Sequence, residues 1–227
     1  MSRRSILIAM GVMGATSVAC SEPYSFRGIT LGTSLEDVRR FRFPEAPEAR
    51  IVCTHDAEAR DLRPTEETSL SEQDLANGIM VCGVFAFRKI LGKDSRLLPP
   101  EWVTARLDIA HIEVSATFWF LPTAGASQGP GAGVPGNSEE QSQLYRIAMR
   151  SNATFWPDML AAFQRRYGKP ASVERTAPPA APGGGLDNLT ATWRNEASTI
   201  RLVKRSERPQ RLSIVYQHTA LATEAAR

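Results

Sequence analysis

Between residues 151 and 216 the chain sets two periodicities side by side, and together they fix a class of fold. Phe155, Met159, Leu160, Phe163 and Tyr167 recur at helical spacing, with Gln164, Arg165 and Arg166 on the opposite side, and Gly168 and Pro170 stop the pattern. Residues 189–195, 198–206 and 211–218 then alternate apolar and polar side chains, as half-buried strands do. One amphipathic helix feeding a small antiparallel sheet predicts an α+β fold with short helices packed on the sheet. Five such apolar side chains, at about 1.5–3 kcal/mol each when buried, dock a helix but specify no chemistry.

The rest of the chain reads in the same terms. Thr33 followed by Glu36 forms a capping-box pattern that predicts a helix from Ser34, with Leu35, Val38 and Phe41 inward and Pro44 as its end. Residues 50–55 predict a strand, 56–78 a long hydrophilic surface loop, 78–88 a second strand and 106–120 a third. In that third strand Ala110, Ile112, Val114, Ala116, Phe118 and Phe120 would face one way, and His111, Glu113, Ser115 and Thr117 the other. Residues 122–143, rich in Gly, Pro and Ser, read as a flexible linker, and 177–188 as a shorter interruption. The expected organisation is a first α+β unit over 20–121, the linker over 122–143, a second unit over 144–219 and an alanine-rich tail over 220–227 that reads as a frayed helix or as disorder. The two units share a loose plan of one short helix and about three strands, so a tandem duplication is an expectation of the pattern.

The first 19 residues are set apart as a signal peptide. Arg3 and Arg4 form a basic start, residues 6–15 a short apolar core, and Ser17, Val18 and Ala19 the small residues that a signal peptidase reads. Export bears on the charge balance. The 27 basic and 24 acidic residues give a net +3, and removing Arg3 and Arg4 leaves 25 against 24, no general case for nucleic-acid binding. The local clusters Arg39, Arg40 and Arg42, and Arg201, Lys204, Arg205, Arg208 and Arg211, read as solvated faces of a helix and of edge strands. Of three cysteines, Cys20 sits at the cleavage point, which leaves Cys53 and Cys82 as a candidate disulfide in an oxidising compartment.

Chemical motifs are few. Residues 131–136 fit G-x-G-x-x-G literally, but Pro130 and Pro135 remove backbone donors that a pyrophosphate would need, and no cofactor is expected. Gly92-Lys93 lacks the flanking residues of a phosphate loop, and H-E-x-x-H and G-x-S-x-G are absent. Cys53 and His55, two apart, with Cys82 on another strand, could offer two thiolates and an imidazole to a metal, the alternative to the disulfide. His111 and His218 read as surface histidines rather than acid or base groups. Trp119 falls on the polar side of its strand and reads as the exposed aromatic of a contact patch, packing beneath a loop being its other reading, and Arg201 and Lys204 mark a candidate face for contact with a protein or an anionic lipid.

Two stretches carry a resemblance. Residues 16–20, Thr-Ser-Val-Ala-Cys, resemble a bacterial lipoprotein box, with Ser17 where a large aliphatic residue is usual; the resemblance implies an acylated Cys20, and Ser21 after it an outer-membrane anchor facing the periplasm. Ordinary cleavage after Ala19 is the alternative. Residues 29–38, with Gly32, Ser34 and Val38, resemble the helix start of small envelope lipoproteins of the SmpA/OmlA type and their relatives with the fold of the β-lactamase inhibitor protein, and residues 163–170 are similar to a helix end common among exported proteins. The first departs from that pattern over residues 41–44. The resemblance implies two short helices on an antiparallel sheet and a role in binding proteins rather than in catalysis, and it transfers no functional residue. The expectation is a non-catalytic envelope lipoprotein that binds or scaffolds a protein partner. The alternatives are a periplasmic metal protein or enzyme using Cys53, His55 and Cys82, and a soluble periplasmic inhibitor or ligand-binding protein.

Overall fold

The structure is a computed structural model and describes residues 21–61, 72–88, 101–123, 142–176, 187–206 and 210–226. Its elements are β1 (Ser25–Phe26), β2 (Ile29–Thr30), α1 (Leu35–Arg40), β3 (Arg50–Cys53), α2 (Glu72–Ala76), β4 (Met80–Arg88), β5 (Glu101–Thr104), β6 (Leu107–Ile109), β7 (Ile112–Pro122), β8 (Ser142–Asn152), α3 (Trp156–Tyr167), β9 (Ser172–Thr176), β10 (Asn188–Arg194), β11 (Ser198–Arg205), β12 (Arg211–His218) and α4 (Thr219–Ala225). All strand pairs are antiparallel, and one ten-stranded sheet runs β3-β4-β7-β8-β12-β11-β10-β9, with β5 beside β4 and β6 beside β7. The fold is therefore α+β, with short helices on an antiparallel sheet. The strands of the first tract and those of the second join edge to edge where β7 pairs with β8.

One sheet face carries the main core. Cys82, Phe118 and Phe120 from the first half meet Ile147, Met149, Leu212, Ile214, Tyr216, Ile200, Leu202, Ala191 and Trp193 from the second, all buried. α1 covers this face with Leu35 and Val38, α3 with Trp156, Met159 and Phe163, and the β1–β2 hairpin with Phe26 and Ile29. Arg27, in the left-handed region beside Gly28 at the hairpin turn, reaches Glu45 at 3.1 Å and ties the hairpin to the neighbouring loop. Past β2, Gly32 N–H donates to the Leu144 carbonyl and Leu144 N–H to that of Thr33, so this segment pairs with the start of β8.

Several expectations are corrected. α1 is capped by Ser34, whose Oγ accepts from Asp37 N–H at 3.2 Å, one residue later than the Thr33–Glu36 box, because Gly32 and Thr33 are held against β8. On α3 it is Trp156 that faces the core, while Phe155 lies just before the helix and is exposed. The strand expected over 106–120 is a hairpin: Ala110 and His111, both at positive φ, turn β6 back onto β7. Two-residue turns are ordinarily signalled by Asn-Gly or Asp-Gly, and Ala-His gives no such signal. The expected loop over 56–78 holds a short helical turn at Ala57–Asp61 and α2, while the tail follows the helical one of its two readings as α4. The linker narrows, since β7 runs through Pro122 and β8 starts at Ser142; residues 124–141 lie outside the described residues.

Phe163 stands 5.5 Å, centroid to centroid, from both Trp193 and Tyr167. Phe163→Ala should lower the unfolding free energy by about 3–5 kcal/mol, whereas Phe155→Ser should stay within about 0.5 kcal/mol. Urea denaturation of the two variants measures both, and the opposite ranking would mean that α3 is rotated from this placement.

Candidate functional site

Strands alternate their side chains, so the residues between those of the main core point out of the second sheet face. From β8 these are Arg146, Ala148 and Arg150, from β12 Arg211, Ser213, Val215 and Gln217, and from β11 Arg201, Val203 and Arg205. The register sets Arg205 directly opposite Arg211, Ser213 between Val203 and Arg150, Val215 between Arg201 and Ala148, and Arg146 between Gln217 and Trp119. The five arginines thus ring a floor of Val203, Ser213, Val215 and Ala148, and all of them line one cavity of about 610 Å³. At the usual strand rise and spacing the ring extends about 20 Å along the strands and about 10 Å across them. Among the described residues Asp74 of α2, at its edge, is the one carboxylate in the lining.

A β-bulge creates this arrangement. Phe120 pairs with Leu144 but Trp119 with Arg146, so Tyr145 is an extra residue in β8. Tyr145 packs with Ile79, Val81, Trp119 and Leu121 in a second, smaller core on the arginine face, closed by Leu221, Ala222 and Ala225 of α4. The Arg146 guanidinium lies 4.7 Å from the Trp119 ring centroid, a cation–π contact, and its buried Nε has no hydrogen-bond partner. Burial, with Asp74 adding to it and Arg146 opposing, pushes the Tyr145 phenol up to about 12, so it stays protonated at neutral pH. Arg201 and Arg205 are exposed; Arg146, Arg150 and Arg211 are half-buried. Guanidinium groups are planar forks of N–H donors that match carboxylate or phosphate oxygens in pairs, so a ring of them is suited to multivalent oxyanions.

The expected contact face divides. Trp119 is only 8% exposed, covered by α4 and Arg146, so it walls the cavity instead of presenting an exposed aromatic. Arg201 looks into the cavity, but Lys204, an odd number of residues away, faces the helix-covered side opposite Leu212. The basic cluster after Ile200 is accordingly neither an edge-strand feature nor a single face, since β11 and β12 are interior strands. Sequence reasoning missed Arg146 and Arg150 because the bulge breaks the period-two pattern of β8. The available signal was Ile147 and Met149 alternating with Arg146, Ala148 and Arg150.

Cys53 and Cys82 lie opposite one another on β3 and β4 and are bonded, with S–S 2.04 Å. Both are in the main core, and exposed His55 sits in the turn beyond β3, so the proposed Cys53–His55–Cys82 metal set has no free thiolate. Among the described residues no cluster of three or more His, Cys, Asp or Glu could hold a metal. His111 occupies the β6–β7 turn, its backbone N–H donating to Asp108. His218 caps α4, its Nδ1 accepting from Leu221 N–H at 3.4 Å. Cys20, the signal segment, Gly92-Lys93, Arg208 and the glycine motif at 131–136 lie outside the described residues.

Comparison with family models, with curated proteins and with solved structures finds no match for this chain.

Two outcomes are expected. The bridge closes a separation of 29 residues, and Cys53→Ser with Cys82→Ser should cost about 3.5 kcal/mol on the chain-entropy estimate; alkylation of either thiol in the unreduced protein would contradict the bond. Burial lowers the His218 imidazole below its ordinary 6.5, and the cap needs Nδ1 unprotonated. The unfolded chain therefore takes up this proton first as pH falls. The contribution of His218 is full above 6.5, is lost as pH falls below that, and levels off under the folded-state value. Melting temperature measured against pH should show that loss, and His218→Asn, which caps without titrating, should remove it.

Proposed function

We propose that this is an exported, non-catalytic binding protein of the bacterial cell envelope, attached to a membrane through acylated Cys20, and that its ligand surface is the arginine-ringed face of the sheet. The observation that carries the proposal is the convergence of Arg146, Arg150, Arg201, Arg205 and Arg211 on one cavity. In a chain whose mature charge is close to neutral, that convergence is local, and it makes an anionic ligand the complement of the site. The volume falls within the usual range of about 300–1,000 Å³ for small-molecule sites.

Further support comes from the sequence and from the core. The signal segment ends at a cysteine, and the other two cysteines are joined, as suits an oxidising compartment. Among the described residues no helix is long and apolar enough to cross a membrane. The envelope assignment also rests on the resemblance of residues 29–38 to SmpA/OmlA-type lipoproteins. The metal-protein alternative loses both thiolates to the disulfide.

The test is thermal melting in a panel of anions at low ionic strength. A ligand at one hundred times its dissociation constant adds about 2.7 kcal/mol, so sulfate, phosphate or citrate should raise the melting temperature of the natural protein. Arg201→Glu with Arg205→Glu, both exposed and outside the core, should abolish that rise while leaving the unliganded melting temperature close to its original value. An equal rise in the double variant would contradict the site.

A further inference from the structure

Resting on the anion-binding role proposed above, the geometry points to the kind of anion: we propose that the ring takes a soluble, multiply phosphorylated small molecule rather than a single carboxylate or the headgroups of the membrane that anchors the protein.

Three observations carry this. Arg205 and Arg211 are directly opposite on neighbouring strands, and Arg150 follows two residues along on the next strand. Three guanidinium groups set that close offer several forks of N–H donors to one polyanion. The cations also step along the strands. Counted along β12, Arg205 and Arg211 are level, and Arg150, Arg201 and Arg146 follow at successive steps of two residues, about 7 Å each and about 20 Å in all. One carboxylate or one phosphate cannot meet both ends of this row, whereas a chain of phosphates or a phosphorylated ring reaches several of its members. Among the described residues every cation of the ring is arginine, whose fork pairs two oxygens at a time and suits phosphate better than the point charge of lysine.

The placement of the N-terminus excludes the anchoring leaflet. Tyr24 stacks edge-on against Tyr167 of α3 at 5.2 Å and donates its N–H to Ser198 Oγ, and Asn195 donates to the Glu22 carbonyl. The chain is therefore pinned on the helix-covered side, at the β10–β11 turn. Cys20 is two residues from Glu22, a reach of about 7 Å. Along β11 Arg201 lies about 10 Å and Arg205 about 23 Å from Ser198, and both side chains are on the opposite face of the sheet. An acyl chain on Cys20 thus draws the covered face and the turn toward its membrane, with the arginine ring on the other face of the sheet.

The experiment is isothermal titration of the mature chain, freed of acyl groups by Cys20→Ala, with tripolyphosphate, orthophosphate and citrate at fixed ionic strength, and sedimentation with anionic phospholipid vesicles. Tripolyphosphate should bind at least about tenfold more tightly than citrate or orthophosphate, a step of about 1.4 kcal/mol. Arg201→Glu with Arg205→Glu should lose at least about tenfold of that affinity, and Arg201→Lys with Arg205→Lys, which keeps the charge and removes the fork, should lose most of it too. Arg165→Glu with Lys169→Glu, the same charge change on α3 and just past its end, should alter it by no more than about twofold. Citrate binding as tightly as tripolyphosphate would overturn the phosphate class and leave the anion site standing. No anion binding at all would overturn both. Sedimentation with vesicles through Arg201 and Arg205 would overturn the soluble source.

Discussion

The antiparallel pairing of β7 with β8 joins the two halves of the chain, and the extra residue within it decides what each sheet face carries. On one side of the bulge Phe120 meets Leu144, and on the other Phe118 meets Ile147, so the main core continues through the seam. Tyr145 absorbs the difference in count by entering the second core beside Trp119. Without that insertion a one-residue slip would exchange the faces of β8, sending Ile147 and Met149 out and Arg146 and Arg150 into the core. A charged group buried without partners costs several kcal/mol, so hydrophobic matching of Ile147 and Met149 with Tyr216 and Ile214 fixes the position of the arginines as firmly as it fixes the core.

The two faces divide the work of the molecule. α1, α3 and the β1–β2 hairpin close one of them over a continuous apolar layer that also encloses the Cys53–Cys82 bridge. The other is closed only in part among the described residues, with α4 over the Trp119 cluster and α2 placing Asp74 at the rim of the cavity. Asn77, just past α2, donates to the Ala225 carbonyl of α4 at 3.0 Å, which links the two short helices that border the arginine ring. The site thus stands on interior strands, with its cations held by backbone register rather than by a loop.

Legibility in the sequence followed the regularity of each element. Strands β10, β11 and β12 were readable to within a residue or two because Trp193, Ile200, Leu202, Ile214 and Tyr216 keep a strict alternation. The helix α3 was readable from its spacing and its Gly168 stop, although Trp156 and not Phe155 proved to be the inward aromatic. The disulfide followed from cysteine arithmetic. β8 was not readable, because its bulge breaks the alternation, nor was the β6–β7 hairpin, whose Ala110-His111 turn lacks the usual residues. The site lay hidden for the same reason. Arg201, Arg205 and Arg211 were visible as a basic cluster, but only pairing across β12 to β8 brings Arg146 and Arg150 beside them and sends Lys204 to the other face.

The most direct measurement is the nitrogen–proton spectrum of the arginine Nε groups of the isotope-labelled protein during titration with tripolyphosphate. The account predicts that the signals of Arg146, Arg150, Arg201, Arg205 and Arg211 shift together and saturate together, while those of Arg165, Arg166 on α3 and Arg40 on α1 hold still. Shifts spread evenly over all arginines, or confined to those of α1 and α3, would contradict it.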